Sequence, residues 1–338
     1  MVSLEGNPFA SWSGVLHNES NTFLYEDDVL LNKDKTILIA YRSKETSYII
    51  PNTVTCIRQS AFEGCTSLNC INIPNGVTSI GDYTFRDCSS LTSINIPDNV
   101  TSIGFGAFNG CSSLTNIHIP DSVISIGRWA FKGCSSLISI NIPNRVTNID
   151  WWAFSDCSSL TNIHIPDNVT SIGFGAFEGC TSLNCINIPD RVTSIETLAF
   201  SKCTSLINIH IPDRVTSIGS NAFSDCKSLT SINIPNSVTS IGDSAFRDCN
   251  SLESIHIPDS VTSIGKCAFW SCRSLTSIDI PDSVTRIEND AFCGCGSLTC
   301  IHIPDSVTSV GNCAFGWCDN LPPQIKSDII KRFGEKVF

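Results

Sequence analysis

A proline recurs every 23 residues through most of this chain, and this period limits the possible fold more than any other feature. The prolines of the series are Pro51, Pro74, Pro97, Pro120, Pro143, Pro166, Pro189, Pro212, Pro235, Pro258, Pro281 and Pro304. Around each one the sequence approximates Ile-x-Ile-Pro-x-x-Val-Thr-x-Ile-Gly-x-x-Ala-Phe-x-x-Cys-x-Ser-Leu-x-x, without insertions. A fixed period of about 20–50 residues is typical of stacked repeats that share one continuous core. The period therefore overrides the two-domain expectation that a chain of 338 residues would otherwise raise.

The residues of one repeat predict two short extended segments followed by a turn. In Leu-Thr-Ser-Ile-Asn-Ile-Pro at 91–97, apolar and polar residues alternate as in a half-buried strand that the proline ends. Val-Thr-Ser-Ile at 100–103 predicts a second extended piece, and Gly104 suits a backbone open to positive φ. Ala-Phe-x-x-Cys at 107–111 predicts one short helical turn with its apolar side chains inward. One repeat cannot bury these residues alone, whereas stacked copies can.

The composition is that of a folded chain and argues against two classes of partner. Hydrophobic residues make up 41% and charged residues 16% of the chain, and the formal net charge is −11. Because no basic stripe is present to neutralise phosphates, we expect no nucleic-acid partner. No run of about 18 apolar residues occurs, so we also expect no membrane insertion.

The N-terminal sequence leaves the cellular location open. MVSLEGNPFASWSG has no basic segment followed by an apolar run of about 7–15 residues, so it does not resemble a secretory signal. An intracellular location, export by another route and a missing leader all remain compatible with it.

Nineteen cysteines suggest a disulfide framework at first, but the spacing of twelve of them favours a different interpretation. These twelve share one repeat position, three residues after the phenylalanine: Cys65, Cys88, Cys111, Cys134, Cys157, Cys180, Cys203, Cys226, Cys249, Cys272, Cys295 and Cys318. A cysteine there is predicted to act as a small buried apolar residue. Parallel, in-register side chains rarely give a disulfide dihedral, so bonds between neighbours are the less favoured alternative. The other seven match no zinc spacing, and we predict neither a metal nor a cofactor.

The repeated motif Leu-x-x-Ile-x-Ile-Pro-x-x-Val-Thr-x-Ile-Gly-x-x-Ala-Phe-x-x-Cys-x-Ser-Leu resembles the leucine-rich repeat of BspA-type surface proteins of bacteria and protozoa. The resemblance covers roughly residues 46–320. It implies an α/β solenoid of about twelve 23-residue repeats with short parallel strands and short helical turns. It further implies a location at the cell surface or outside the cell, a role in adhesion and protein recognition, and no cofactor.

The two ends of the chain depart from the period. Residues 1–45 contain alternating apolar stretches and predict a strand-rich N-terminal cap. Residues 321–338 predict a C-terminal capping helix, in which Ile325, Ile329, Ile330 and Phe333 would cover the open core of the last repeat.

One candidate binding surface is the outward column of the first strand in each repeat, here called the strand-face column. Its members are Asn95, His118, Asn141, His164, Asn187, His210, Asn233, His256, Asp279 and His302. The histidines recur every 46 residues, so they would lie about 10 Å apart, across two strand spacings. Zinc needs ligands about 2.0–2.1 Å away, so we expect no shared metal ion. A solvated polar column on the concave face is the favoured interpretation, with a pH-sensitive binding surface as the alternative.

The stronger candidate lies at the two variable positions after the repeat glycine. Six consecutive repeats carry a large apolar residue there, whereas nearly all others carry polar pairs such as Asp243-Ser244. This aromatic strip comprises Tyr83, Phe105, Trp129, Trp151, Trp152, Phe174 and Leu198. If it faces solvent, it predicts a surface for partner binding or self-association. The alternatives are packing under the N-terminal cap, against a neighbouring subunit, or flat along the solenoid edge, and drift among residues that the position tolerates.

The chemistry-bearing residues belong to repeated columns, which argues against an enzyme. The chain has no glycine-rich phosphate loop, Gly-x-Ser-x-Gly elbow or His-Glu-x-x-His motif, and no unique polar cluster. The sequence therefore predicts a non-enzymatic module that recognises a protein, including a host or extracellular-matrix protein, or a glycan. The alternative is a structural scaffold that associates with itself into a homo-oligomer.

Overall fold

The computed structural model describes residues 7–9, 17, 19 and 21–338. The chain divides into two compact units, Met1–Asn168 and Val169–Phe338, and each is described by itself below. Apart from residues 7–9, 17 and 19, the part of the predicted N-terminal cap that precedes residue 21 lies outside the described residues.

The first unit begins with an antiparallel meander and continues with short strands that recur in each repeat. Its strands are β1 (Phe23–Glu26), β2 (Val29–Asn32), β3 (Ile37–Tyr41), β4 (Ser47–Ile49), β5 (Cys56–Ile57), β6 (Cys70–Asn72), β7 (Ser79–Ile80), β8 (Ser93–Asn95), β9 (Ser102–Ile103), β10 (Ser125–Ile126), β11 (Ser139–Asn141), β12 (Asn148–Ile149) and β13 (Asn162–His164).

The second unit contains the same two kinds of strand and ends in a helix. Its elements are β14 (Ser171–Ile172), β15 (Ser217–Ile218), β16 (Ser231–Asn233), β17 (Ser240–Ile241), β18 (Ser254–His256), β19 (Ser263–Ile264), β20 (Ser277–Asp279), β21 (Arg286–Ile287), β22 (Cys300–His302), β23 (Ser309–Val310), the helix α1 (Pro323–Phe333) and a 3-10 turn (Glu335–Val337).

Equivalent strands pair in parallel with a register of one repeat. In the first unit β4, β6 and β8 form one sheet and β7, β9 and β10 another. In the second unit β16, β18, β20 and β22 form one sheet, and β15, β17, β19, β21 and β23 the other. Each pairing joins residues 23 apart, as in Ser79 with Ser102. The solenoid of stacked 23-residue repeats predicted from the period is therefore confirmed within each unit.

A column of fully buried phenylalanines forms the centre of each unit. Adjacent rings in the first unit are stacked with centroids 5.1–5.5 Å apart, as for Phe108 and Phe131. In the second unit the spacing is 5.4–5.7 Å, as for Phe292 and Phe315. Such ring pairs contribute about 0.5–1.5 kcal/mol beyond the apolar area that they bury. The repeats are thus joined by side-chain stacking as well as by strand pairing.

The predicted column of thiols lies beside the phenylalanines, and its cysteines are free. All but the half-buried Cys65 are buried. The buried thiols of this column donate hydrogen bonds to the backbone carbonyl of the phenylalanine in the preceding repeat, as Cys134 does to Phe108 at 3.2 Å. Burial raises the pKa of the Cys203 thiol to about 12. These groups therefore stay protonated and bridge successive repeats.

The segment after the repeat glycine differs from the helical turn that we predicted. It is a series of turns in which two residues per repeat have positive φ, such as Trp152 (50°) and Asp156 (59°). Hydrogen bonds between residues three positions apart close these turns, as from the Cys157 amide to the Phe154 carbonyl. A continuing right-handed helix is incompatible with positive φ every four residues. The side chains of the Ala-Phe-x-x-Cys motif still point into the core, as expected.

At the N-terminal end of the first unit, aromatic rings continue the phenylalanine column. Strand β3 pairs with β2 on one side and with β5 on the other. The ring of Tyr41 lies 5.1 Å from Phe62 and 4.8 Å from Tyr48, measured between centroids. Tyr41 is buried. The described strands of this region therefore cover the open end of the first repeat.

At the C-terminal end of the second unit, the last residues occupy the positions of a further repeat. The Cys313 amide donates to the Lys336 carbonyl and the Phe315 amide to the Val337 carbonyl, each at 2.8 Å, and the paired residues are 23 and 22 positions apart, about one repeat. Phe338 then lies 6.0 Å from Phe315 between ring centroids. These residues, together with α1, cover the last repeat.

The helix α1 covers the last repeat with fewer side chains than the sequence predicted. Ile329 is buried, Ile325 and Phe333 are half-buried, and Ile330 is exposed. Arg332 also anchors the helix, because its guanidinium donates to the backbone carbonyls of Ile303 and Pro304. The division of the chain into an N-terminal cap, a repeat array and a capping helix remains a proposal.

Candidate functional site

Four of the seven members of the aromatic strip lie at a left-handed backbone position of the turn. The second variable position of each repeat has positive φ, including Tyr83 (53°), Trp129 (58°), Trp152 (50°) and Leu198 (61°). Non-glycine residues adopt this conformation at a cost, which polar residues such as asparagine reduce by local hydrogen bonds. The polar pairs of the other repeats suit this turn. Tyr83, Trp129 and Trp152 bring no such group to this backbone position, and the ring contacts that they make offset part of its cost.

In the first unit the rings form a continuous series. The centroids of Tyr83 and Phe105 are 5.0 Å apart, and those of Phe105 and Trp129 are 4.8 Å apart. Trp129 lies 6.0 Å from Trp152, which in turn lies edge-on to Trp151 at 6.5 Å. The structure therefore brings five of the seven predicted strip residues into ring contact.

The remaining two members, Phe174 and Leu198, lie in the second unit. Both are half-buried and occupy the same pair of variable positions as the members in the first unit. The predicted strip is thus contiguous over residues 83–152.

Two arginines that the sequence reasoning did not single out lie over strip rings. The guanidinium of Arg128 is 3.9 Å from the ring centroid of Trp151, and that of Arg86 is 5.3 Å from Tyr83. Arg128 also forms an ion pair with Asp150, at 3.3 Å between Nε and Oδ1. Each cation–π contact contributes about 0.5–1 kcal/mol at an exposed site. The sequence could have indicated Arg128, because it is the polar member of the variable pair that contains Trp129.

Exposure within the strip is uneven. Trp151 is 44% exposed, whereas Tyr83, Phe105, Trp129 and Trp152 are half-buried. The Trp151 backbone amide donates to Asp150 Oδ1 at 2.7 Å, which fixes the start of the turn. The strip therefore presents one accessible tryptophan, backed by rings that hold its position.

The strand-face column is exposed along the first strand of each repeat. In the first unit Asn95 bridges to His118, and Asn141 pairs with His164. All column members in both units are exposed, from Asn95, His118, Asn141 and His164 to Asn187, His210, Asn233, His256, Asp279 and His302. The structure therefore places the predicted polar column on the surface.

In the second unit this face has a shallow groove of about 410 Å³. Its polar lining comes from Asn233, His256 and Asp279, together with Ser231, Ser254 and Ser277. On the adjacent strand, the residue paired with each histidine carries an amide or a carboxylate, as Asp279 does beside His302. Within the described part of the chain, no group of three or more His, Cys, Asp or Glu residues is arranged to hold a metal ion. What the groove offers a ligand is hydrogen bonding through hydroxyl, amide and imidazole groups.

The stacked repeats, the buried phenylalanine and thiol columns and the exposed polar strands define a leucine-rich-repeat solenoid protein. Family comparison narrows this class. The model of the BspA-type leucine-rich repeat region matches residues 40–161, 78–207, 153–276 and 193–322. The chain belongs to this family, as the resemblance of its repeat motif predicted.

Solved structures of bacterial leucine-rich repeat proteins resemble the chain over nearly its whole length. A leucine-rich repeat protein from Bacteroides ovatus is 28% identical, with 96% of this chain and 99% of that chain covered and a TM-score of 0.63. A leucine-rich cell surface protein from Faecalibacterium prausnitzii is 31% identical, with 90% and 94% covered and a TM-score of 0.59. The pneumococcal vaccine antigen PcpA shares the fold at 16% identity, with 95% and 98% covered and a TM-score of 0.55.

No curated protein matched the chain. Leucine-rich repeat proteins generally act as protein-interaction modules. The described part of this chain contains no helix that is both long and apolar enough to cross a membrane.

Proposed function

We propose that the chain is a non-enzymatic binding module of the cell surface that recognises a protein partner through the aromatic strip. The observation that carries this proposal is the contiguous ring series of the first unit, which ends at the accessible Trp151 beneath the Arg128 guanidinium. Tryptophan, tyrosine and arginine are the residues most enriched at binding hot spots. Adhesion to a host or extracellular-matrix protein, or to a glycan, is the more specific form of this proposal.

The physical basis is that binding would cost the strip little conformational entropy. The ring of Trp152, which itself packs against Trp129, already supports Trp151, and Arg128 already lies over it. A partner that buries such a pre-ordered tryptophan loses little side-chain freedom in the complex. Surface location is supported by the cell surface protein from Faecalibacterium prausnitzii, which the chain resembles along most of its length.

The test restores the chain's own template at the exposed end of the strip. Trp151→Asp/Trp152→Ser reproduces the pair Asp243-Ser244. We expect it to lower binding to the best ligand of an array of matrix proteins and glycans by at least about tenfold, or about 1.4 kcal/mol. Far-UV circular dichroism would confirm that the variant remains folded.

A matched control removes another exposed apolar side chain of the same unit. Ile124 is 48% exposed and lies in a column that otherwise contains residues such as Thr101, so Ile124→Thr also restores the template. Equal binding by the wild type and both variants would reject the strip as the site. The strand-face column would then be the candidate surface, and His256→Asn would test it.

Self-association is the alternative use of the same strip. If the strip joined two copies of the chain, the molecular mass of the wild type in sedimentation would rise with protein concentration. The double variant would keep the mass of a monomer at every concentration. A mass independent of concentration would reject this alternative.

A further inference from the structure

The second unit contains an apolar cavity that belongs neither to the strip nor to the strand face. It has a volume of about 550 Å³ and lies among the last repeats and the C-terminal residues. Its lining includes the aromatic side chains of Trp270, Trp317 and Phe338, the thiols of three cysteines, Arg247 and Asp290. Cavities that hold small molecules typically have volumes of about 300–1,000 Å³ and few polar groups.

The cavity arises where the sequence departs from the repeat template. One turn column is polar or small in the earlier repeats of this unit, with Glu178, Ser201, Ser224 and Arg247, and then becomes Trp270, Cys293 and Gly316. A β-carbon added to Gly316 would lie 3.4 Å from the Cys293 Sγ atom. The missing side chain at this position leaves the floor of the cavity open, beside a tryptophan that forms one wall.

The aromatic walls have different degrees of freedom. Trp317 is 72% exposed at a left-handed backbone position (54°), although the same column elsewhere contains glycines such as Gly294. The Trp270 ring is held by the Arg247 guanidinium, 4.7 Å from its centroid. Phe338 is held by its contact with Phe315. The cavity thus has two supported aromatic walls and one accessible tryptophan.

Asp290 supplies the uncompensated charge of the cavity. The charge of Arg247 is balanced by Asp248, with Nε and Oδ2 at 3.2 Å. Among the described residues, no hydrogen-bond or ion-pair partner of the Asp290 carboxylate is found, and the residue is half-buried. An aromatic-walled cavity with one unpaired carboxylate favours a ligand that joins an aromatic ring to a cation, because each part finds its complement.

We propose that this cavity binds a small arylalkylamine, with the ring between Trp270 and Trp317 and the ammonium group at Asp290. The site is independent of the proposed protein-binding strip, which lies in the first unit. The volume of about 550 Å³ admits a single-ring amine with room for bound water.

The experiment is calorimetric titration of the full chain with 2-phenylethylamine, compared with 2-phenylethanol, which has the same ring but no ammonium group. We expect saturable binding of one amine per chain and at least tenfold weaker binding of the alcohol. Asp290→Asn, which introduces the residue found at the equivalent Asn221, should weaken the amine at least tenfold. The matched control Asp282→Asn changes an exposed turn carboxylate of the same unit and should leave the affinity unchanged.

A second variant keeps the test decisive if Asp290→Asn alters the local turn. Trp317→Gly restores a residue that tolerates the left-handed backbone, so we expect it to fold and to lose at least tenfold in affinity. Equal affinities for the amine and the alcohol would overturn the role of Asp290. Absence of saturable binding, or unchanged affinity in Trp317→Gly, would overturn the site.

Thiol alkylation gives an independent measurement. Cys313 lines the cavity and is exposed, whereas Cys300 is exposed on the strand face of the same unit. Saturating 2-phenylethylamine should slow the alkylation of Cys313 by iodoacetamide at least threefold and leave that of Cys300 unchanged, as read by mass spectrometry of peptides. Equal rates at Cys313 with and without the amine would contradict the proposal.

Discussion

The ring of Tyr83 lies against Gly106, one repeat further along the chain. A β-carbon added to Gly106 would come within 2.9 Å of two Tyr83 ring carbons, closer than such contacts ordinarily allow. Gly106 also has a left-handed φ of 56°. The absence of a side chain at Gly106 therefore makes room for the ring of Tyr83, and Phe105 supplies the aromatic group of that repeat from the neighbouring position. This change of position lets the rings of Tyr83 and Phe105, which come from successive repeats, lie 5.0 Å apart between centroids.

Gly106→Ala should destabilise the first unit by about 1–3 kcal/mol, because it adds backbone strain and displaces the Tyr83 ring. The measurement is the free energy of unfolding in urea. The ring contribution can be isolated in a Tyr83→Ser background, where alanine should cost only the backbone strain of about 1 kcal/mol. Additive effects of the two substitutions would contradict the contact, since coupled residues give non-additive changes.

Phe131→Ala should be among the most damaging substitutions in the core. The ring is fully buried and lies 5.3 Å from Phe108 and 5.5 Å from Phe154. Loss of such a ring costs about 3–5 kcal/mol. Phe338→Ala should cost clearly less, because Phe338 is half-buried and makes a tilted contact with the ring of Phe315. Urea unfolding would be monitored by hydrogen exchange of the amides next to each substitution, which gives the loss of unfolding free energy for each variant. Equal losses for the two variants would contradict the role of burial.

The stability of the second unit should fall above pH 9, because the buried thiols resist ionisation. Burial raises the pKa of Cys203 to about 12 and that of Cys226 well above its ordinary value. Between pH 9 and about 12 an unfolded thiol loses its proton while the folded thiol keeps it. Each thiol thus contributes stability that is present below pH 9 and declines by up to about 1.4 kcal/mol per pH unit above it.

The alkaline effect can be assigned by comparing two alanine variants in reducing buffer. Cys226→Ala should show a shallower loss of unfolding free energy between pH 9 and 10.5 than the wild type. Cys300→Ala removes an exposed thiol and should keep the wild-type slope. A wild-type slope in Cys226→Ala would show that the buried thiols do not produce the effect.

Arg128→Ala should uncover the face of Trp151 without unfolding the first unit. The guanidinium lies 3.9 Å from the ring centroid, so its loss should increase acrylamide quenching of tryptophan fluorescence and shift the emission to longer wavelength. The stability change should stay within about 1 kcal/mol. Arg145→Ala removes an exposed arginine of the same unit and should leave the emission unchanged. Identical spectra for both variants would contradict the stacking of Arg128 on Trp151.

Much of the fold followed from the period alone. The alternation of Ile94, Asn95 and Ile96 predicted a strand with its apolar side chains buried, and the structure has β8 there. The free thiols and the outward position of the strand-face column followed from the same repeat logic. The turns after the glycine were not predicted correctly. Ala-Phe-x-x-Cys has helical spacing, but two positions four residues apart have positive φ, and amides of the turn bond to the next repeat, as from Phe131 to Ala153 at 2.8 Å.

The candidate site could be predicted from the sequence only in part. The strip residues could be identified because they break a template that the chain itself provides, but their ring contacts and the position of Arg128 required the structure. The cavity beside Gly316 combines three columns of the second unit with Phe338, and no single column of the sequence reveals it.

The sequence by itself determined the repeat length, the inward and outward columns and the residues that depart from the template, since these depend on local spacing and polarity. Only the tertiary structure decided which departures touch one another and which leave space. That outcome depends on backbone conformation in the turns and on the distance between adjacent repeats. Both are properties of the stacked chain that no single repeat encodes.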